Sequence, residues 1–164
     1  MRKIFLIMFL LLSAIAFEQP SYGSTEIKRP YFSHTDIIVN DLLDEAHKYI
    51  GTKYVWGANG PKAFDCSGYT SYIYKQLGYQ ISRTSKQQYT EGIIVDRYQL
   101  KKGDLVFFTR RGSGQNVGHV GIVVSANNET GDFSFIHASV SGVKVSDCIG
   151  YYERRYVGAK RIII

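Results

Sequence analysis

The sequence predicts an α+β domain in which N-terminal helices pack on a five- to six-stranded antiparallel sheet. Three observations carry this. Apolar residues recur at helical spacing up to about Tyr89. Beyond it they gather in short β-branched or aromatic runs divided by turn residues, so helices come first and a meander follows. Finally, 164 residues with 45% apolar and 14% aromatic content suit one packed domain, which excludes a multidomain machine and a disordered tail.

The first segment reads as an address. Arg2 and Lys3 precede an apolar run from Ile4 to Phe17 that only Ser13 interrupts. This is shorter than the roughly 20 residues that span a bilayer as a helix, and it matches the apolar region of an export signal. Small residues precede two cleavage points, at Ala14-Ile15-Ala16 and Ser21-Tyr22-Gly23. The second is preferred because Pro20 ends the helical run. Residues 1–23 are thus expected to be a secretory signal, 24–33 a short leader and 34–164 the working domain. The rival is an uncleaved anchor. Export places the mature chain in the periplasm or outside the cell, as a monomer with no stable membrane anchor after cleavage.

From Ser33 the pattern is helical, with Ile37, Ile38, Leu42, Leu43, Ala46, Tyr49 and Ile50 on one face and Gly51 as a stop. The loop Trp56-Gly57-Ala58-Asn59-Gly60-Pro61 leads to a second helix from about Cys66 to Leu77, which Gly78 closes. Ser82-Arg83-Thr84-Ser85 offers an N-cap for a short third helix through Tyr89. Strands are expected at Leu105–Thr109, His119–Ser125, Phe133–Ala138, Val143–Val145 and Tyr156–Ile164. Turns fall at Gly103-Asp104, Asn127-Asn128 and Ser141-Gly142.

Cys66 stands in the first turn of the second helix, where unpaired backbone N–H groups and the helix dipole favour a thiolate. Cys66, Thr70, Ile73 and Leu77 form one stripe, which should face the sheet. A nucleophilic thiol needs a base, and the strands carry His119 and His137. A hairpin centred on Asn128 sets Val124 opposite Asp132, Ile122 opposite Ser134 and His119 opposite His137. One imidazole can then take the thiol proton while the other orients it. A one-residue bulge would break the parity. Two rivals use the same residues: a Cys66–Cys148 disulfide, since exported compartments are oxidising, and a zinc site on Cys66, His119 and His137. Two Cys are too few for a disulfide scaffold or a four-thiolate zinc site. His34 and His47 fall on the leader and a helix surface.

The net charge is +6. Basic pairs at Lys101-Lys102, Arg110-Arg111, Arg154-Arg155 and Lys160-Arg161 come with no nucleic-acid motif, so no nucleic-acid partner is expected. An anionic cell envelope is the more natural counterpart.

Six motifs stand in order: Tyr54-Val55-Trp56-Gly57, Phe64-Asp65-Cys66-Ser67-Gly68, Ser82-Arg83-Thr84-Ser85, Gly103-Asp104-Leu105-Val106-Phe107-Phe108, Gly118-His119-Val120-Gly121-Ile122 and Ile136-His137-Ala138-Ser139. Together, over roughly residues 35–164, they resemble the NlpC-type cell-wall cysteine endopeptidases. The resemblance implies a reduced papain-like fold and hydrolysis of peptide bonds in peptidoglycan stem peptides or crosslinks, foremost the D-glutamyl–diamino acid bond. It makes Cys66 the nucleophile, His119 the base and His137 the residue that orients it. It sets the Tyr54 hydroxyl by the oxyanion site and Asp65, Ser67 and Arg83 along the substrate cleft, and it implies no cofactor or metal. Ala58 replaces the second Gly of the family's Trp-Gly-Gly turn. A papain-like amidase or acyltransferase on another substrate, and a non-catalytic wall-binding module, are the alternatives. The module would typically lack Cys66 or His119.

Overall fold

Ser33 opens the first helix, α1 (His34–His47), in the computed structural model, which describes residues 33–110 and 116–164. The expected signal and all of the leader but Ser33 lie outside the described residues. The Ser33 hydroxyl accepts the Asp36 N–H at 3.1 Å, and the Asp36 carboxylate accepts the Ser33 N–H at 3.0 Å. This reciprocal capping box fixes the start of the helix. Leu42, Leu43 and Ala46 are buried as the periodicity predicts. Ile37 and Ile50, expected on the same face, are 51% and 52% exposed. Helix α1 ends at His47, so Ile50 lies in the turn beyond it, and Ile37 sits in the first turn, short of the packed stretch.

Helix α2 (Cys66–Gln76) has Asp65 as its N-cap and buries Cys66, Tyr69, Thr70, Ile73 and Tyr74. The Tyr69 hydroxyl donates to the Ala46 carbonyl at 2.8 Å and fastens α2 to α1. Helix α3 (Ser85–Gln88) is capped by Thr84. Its fully buried Gln88 donates to the carbonyls of Ser67 and Ser82 at 3.1 and 2.7 Å and accepts from the Thr70 hydroxyl at 2.9 Å. These bonds tie α3 to the start of α2, and every polar atom of the Gln88 amide has a use there.

Six strands follow: β1 (Ile93–Val95), β2 (Leu105–Thr109), β3 (Val117–Asn127), β4 (Asp132–Ser139), β5 (Gly142–Asp147) and β6 (Tyr156–Arg161). They form one sheet in the order β1-β6-β2-β3-β4-β5, with every pairing antiparallel. The sequence reading omitted β1, whose three residues are too few to show a period, and carried β6 past its end at Arg161. Side chains alternate between two cores, as the pleat requires. Leu105, Phe107, Val120, Ile122 and Ile136 meet the helices. Val106, Phe108, Val123, Phe133 and Phe135 pack on the other face with Cys148 and Ala159, covered by Tyr152 and Tyr156. Burial on both faces explains why β2 is a continuous apolar run rather than an alternating one.

Buried Asp104 binds Arg161 through both oxygens, at 2.7 and 2.8 Å, and accepts the Lys101 N–H at 2.8 Å. Arg161, half of a basic pair in the sequence, is therefore an internal ion-pair partner that holds β6 to the turn before β2.

The β3–β4 register differs from the expected hairpin. Ile122 pairs with Ile136 and Val123 with Phe135, two residues further along β4 than the Asn128-centred register has it. A shift between Val123 and Ser125 brings Ser125 against Ser134, so the hairpin contains a bulge. On the Ile122 side of this bulge the offset is an even number of residues, so His119 and His137 keep a common face although they are not directly opposite.

Candidate active site

Two turns of loop and the first turn of α2 hold the nucleophile candidate. Asp65 has both oxygens engaged. Oδ1 accepts the Gly68 N–H at 2.6 Å and Arg83 Nη1 at 3.0 Å; Oδ2 accepts the Gly57 N–H at 2.9 Å and Arg83 Nη2 at 2.6 Å. One carboxylate thus joins the Trp56-Gly57 loop, the α2 N-terminus and the segment before α3. Gly68 is required by close approach, since a Cβ there would stand 2.2 Å from the Ala58 carbonyl oxygen. Ala58 itself takes no left-handed backbone, so its methyl costs the turn nothing.

Cys66 is 7% exposed on the helix side of the sheet, and Cys148 is buried on the other side; both are free thiols, so the rival disulfide is absent. Among the described residues no group of three or more His, Cys, Asp or Glu side chains is gathered for a metal ion. Burial, and after it the Asp65 carboxylate, pushes the Cys66 thiol above its ordinary pKa. Backbone N–H groups of Ser67, Val120 and Cys66 pull the other way. The sequence argument expected a depressed value. It counted the helix N-terminus but not desolvation, which here is the larger effect. Val120, whose N–H is one of those opposing groups, is the residue that follows His119.

His119 Nε2 and His137 Nδ1 are 2.8 Å apart, with the rings edge to face. Gly121 makes this diagonal contact feasible. A Cβ on Gly121 would come 2.5 Å from the Phe135 ring and 3.1 Å from His137 Cβ. Burial, then the Arg155 guanidinium, lowers the His119 pKa to about 4. Burial, then His119 and Lys144, also holds His137 well below the ordinary imidazole value. Both rings are therefore neutral at pH 7.

His137 has a second partner that the sequence reading missed. Its Nε2 lies 3.0 Å from the Ser146 hydroxyl and 3.5 Å from that of Tyr152. Ser146 pairs with Phe135 across β4 and β5, and Lys144 pairs with His137, so both project from the His137 face. A polar residue at alternate positions of a strand beside the histidine was the available signal.

Tyr54 lies near Cys66 and Asp65, whose charges, after burial, raise its pKa. It lines a recess of about 400 Å³ together with Trp56 and His119. Arg83, expected to face substrate, instead grips Asp65 and reaches the Ser67 hydroxyl at 3.2 Å. The structure so brings together Asp65, Ser67 and Arg83 at the start of α2, and His119 with His137 on the sheet, where they pack on Phe108 and Phe135.

This arrangement has relatives. Residues 51–161 match the NlpC/P60 family. The chain is 40% identical over 122 residues to "Probable endopeptidase p60" of Listeria monocytogenes, covering 74% of this chain and 23% of that protein. It is 34% identical over 140 residues to the gamma-D-glutamyl-L-lysine dipeptidyl-peptidase of Bacillus cereus, covering 81% and 40%. The chain thus spans less than half the length of these curated relatives. A crystal structure of the NlpC/p60 domain of the peptidoglycan hydrolase SagA superposes with a TM-score of 0.63 at 33% identity, covering 76% of this chain and 98% of that one. Three helices on a six-stranded antiparallel sheet, the papain-like fold of those neighbours, and a match through both histidine strands settle the relationship: this chain belongs to the NlpC/P60 family.

Proposed function

We propose that the chain is an exported cysteine peptidase that hydrolyses peptide bonds in peptidoglycan stem peptides, with Cys66 as nucleophile and His119 as base. One observation carries the reading: His119 Nε2 is held by His137 Nδ1 at 2.8 Å, while the N–H of Val120, the next residue after His119, is among the backbone groups that favour the thiolate of Cys66 at the start of α2. Members of the family are cysteine peptidases acting on peptidoglycan.

The resting pair is a neutral thiol and a neutral imidazole. As the scissile carbonyl arrives, the thiol proton passes to His119 and sulfur bonds to the carbonyl carbon. The oxyanion is held by N–H groups at the start of α2 and by the Tyr54 hydroxyl. The C–N bond then breaks, and His119 gives its proton to the departing amine. A low intrinsic pKa makes the imidazolium a strong acid for this step. Water attacks the thioester, again through His119, and releases the carboxylate product and the thiol. When His119 carries both protons its Nε2–H donates to His137 Nδ1. His137 must then hold its own proton on Nε2, directed at Ser146, which makes Ser146 a positioning residue.

The D-glutamyl–diamino acid bond is the preferred cut, supported by the name of the Bacillus cereus relative. Export through residues 1–23 and action as a monomer outside the cytoplasm complete the proposal. Mass spectrometry of muropeptides after digestion tests it. Fragments split at that bond are expected from the wild type and none from Cys66→Ala with unchanged circular dichroism. Cleavage by Cys66→Ala would overturn the mechanism, and amide or acyl-transfer products would redirect it to the alternatives.

A further inference from the structure

The recess beside His119 has a chemical character of its own. Arg110, Lys144 and Arg155 line it, with Trp56, Tyr151 and Tyr152 as aromatic walls, and no acidic side chain is among its described lining. The three cations come from separate elements. Arg110 follows β2 and lies over the Trp56 ring at 5.9 Å. Lys144 stands on β5 directly across from His137. Arg155 ends a short 3₁₀ turn (Glu153–Arg155), where it donates to the Tyr151 hydroxyl and lies 4.7 Å over that ring. The Tyr151 face orients the Arg155 guanidinium without consuming its charge.

The position assigns the recess to one side of the scissile bond. In a thiol peptidase the imidazole protonates the departing amine, so the departing peptide lies on the imidazole side. His119 borders this recess, whereas Asp65, Ser67 and Arg83 do not. We propose that the recess binds a carboxylate of the departing peptide, through Arg155 and Lys144. The inference rests on the peptidase reading for the word "departing". The anion preference itself stands on the lining alone. The field at the histidines agrees: Arg155 lowers the proton affinity of His119, and Lys144 that of His137. A carboxylate seated there offsets this field as the imidazole takes up the thiol proton.

A departing stem fragment offers two such groups, the side-chain carboxylate of a diamino diacid and the C-terminal carboxylate. Calorimetric titration of the full chain with diaminopimelyl-D-alanine, with its side-chain monoamide and with its C-terminal amide separates them. The dipeptide is expected to bind about tenfold tighter than one of the two amides, the gain of a charge-assisted bond. Arg155→Gln and Lys144→Gln, both at solvent-reached positions, should shrink that ratio toward one. Equal affinities for all three peptides, a preference that both substitutions leave intact, or no binding of the dipeptide would overturn the inference. Muropeptide digestion is read separately. A protein that binds the carboxylate peptide selectively but cleaves nothing keeps the recess and loses the peptidase reading; one that cleaves without selectivity does the reverse.

Discussion

Replacing Asp65 by alanine should destabilise the fold before it touches chemistry. The carboxylate is 5% exposed and accepts four hydrogen bonds, two from backbone N–H groups and two from Arg83. Its loss removes the N-cap of α2, which costs about 1 kcal/mol. It also strips the Gly57 N–H of its acceptor and leaves Arg83 without its ion partner. Breaking a buried pair costs about 3–5 kcal/mol, and the lower end applies because the Arg83 side chain is 37% exposed. The expected total is about 4 kcal/mol. With a slope of roughly 2 kcal/mol per M, the urea midpoint falls by about 2 M. Asp65→Asn keeps an oxygen for the Gly68 N–H and should lose about half as much. Arg83→Ala should lose about 1–2 kcal/mol, because the carboxylate retains both N–H donors. Urea unfolding followed by circular dichroism, with cleavage measured on the same samples, decides the matter. If Asp65→Ala unfolds within about 0.3 M of the wild type yet cleaves nothing, the carboxylate acts on substrate and the scaffold argument is wrong.

Three further outcomes follow from the same geometry. Alkylation of Cys66 by iodoacetamide should rise only above the ordinary thiol range, because burial and Asp65 raise its pKa; an inflection below pH 6 would show a resting ion pair instead. His119, whose pKa falls from 6.5 to about 4 on folding, lends stability that is complete above pH 6.5 and is lost as pH drops toward 4. His119→Asn should flatten that acid limb of the unfolding profile, and a limb that persists unchanged refutes the assignment. Ser146→Ala should lower kcat about 3- to 10-fold with little change in KM, and Ser146→Thr should restore it, whereas His137→Asn should keep measurable turnover and His119→Ala none. An equal rise of KM in Ser146→Ala would place that hydroxyl in binding.

The histidine pair was legible for a reason narrower than the hairpin drawn from the sequence. Strand parity survives any register error of an even number of residues, and the error at Ile122 was two. His119 and His137 therefore share a face although the pairing was wrong, and Gly121, which adds no Cβ between them, lets a diagonal contact replace a direct one. Helix α2 was legible because its signals are local: the Cys66, Thr70, Ile73 stripe and the Gly78 stop at its end. What stayed hidden depends on contacts far apart in the chain. Nothing near Asp65 announces that Arg83 and Gly57 will bond to it. The Cys66 pKa reversed for a like reason, since the helix terminus is visible in sequence while the burial that opposes it is not. Ser146 shows the intermediate case: alternation marks its face, but only the β4–β5 register says that the face belongs to His137.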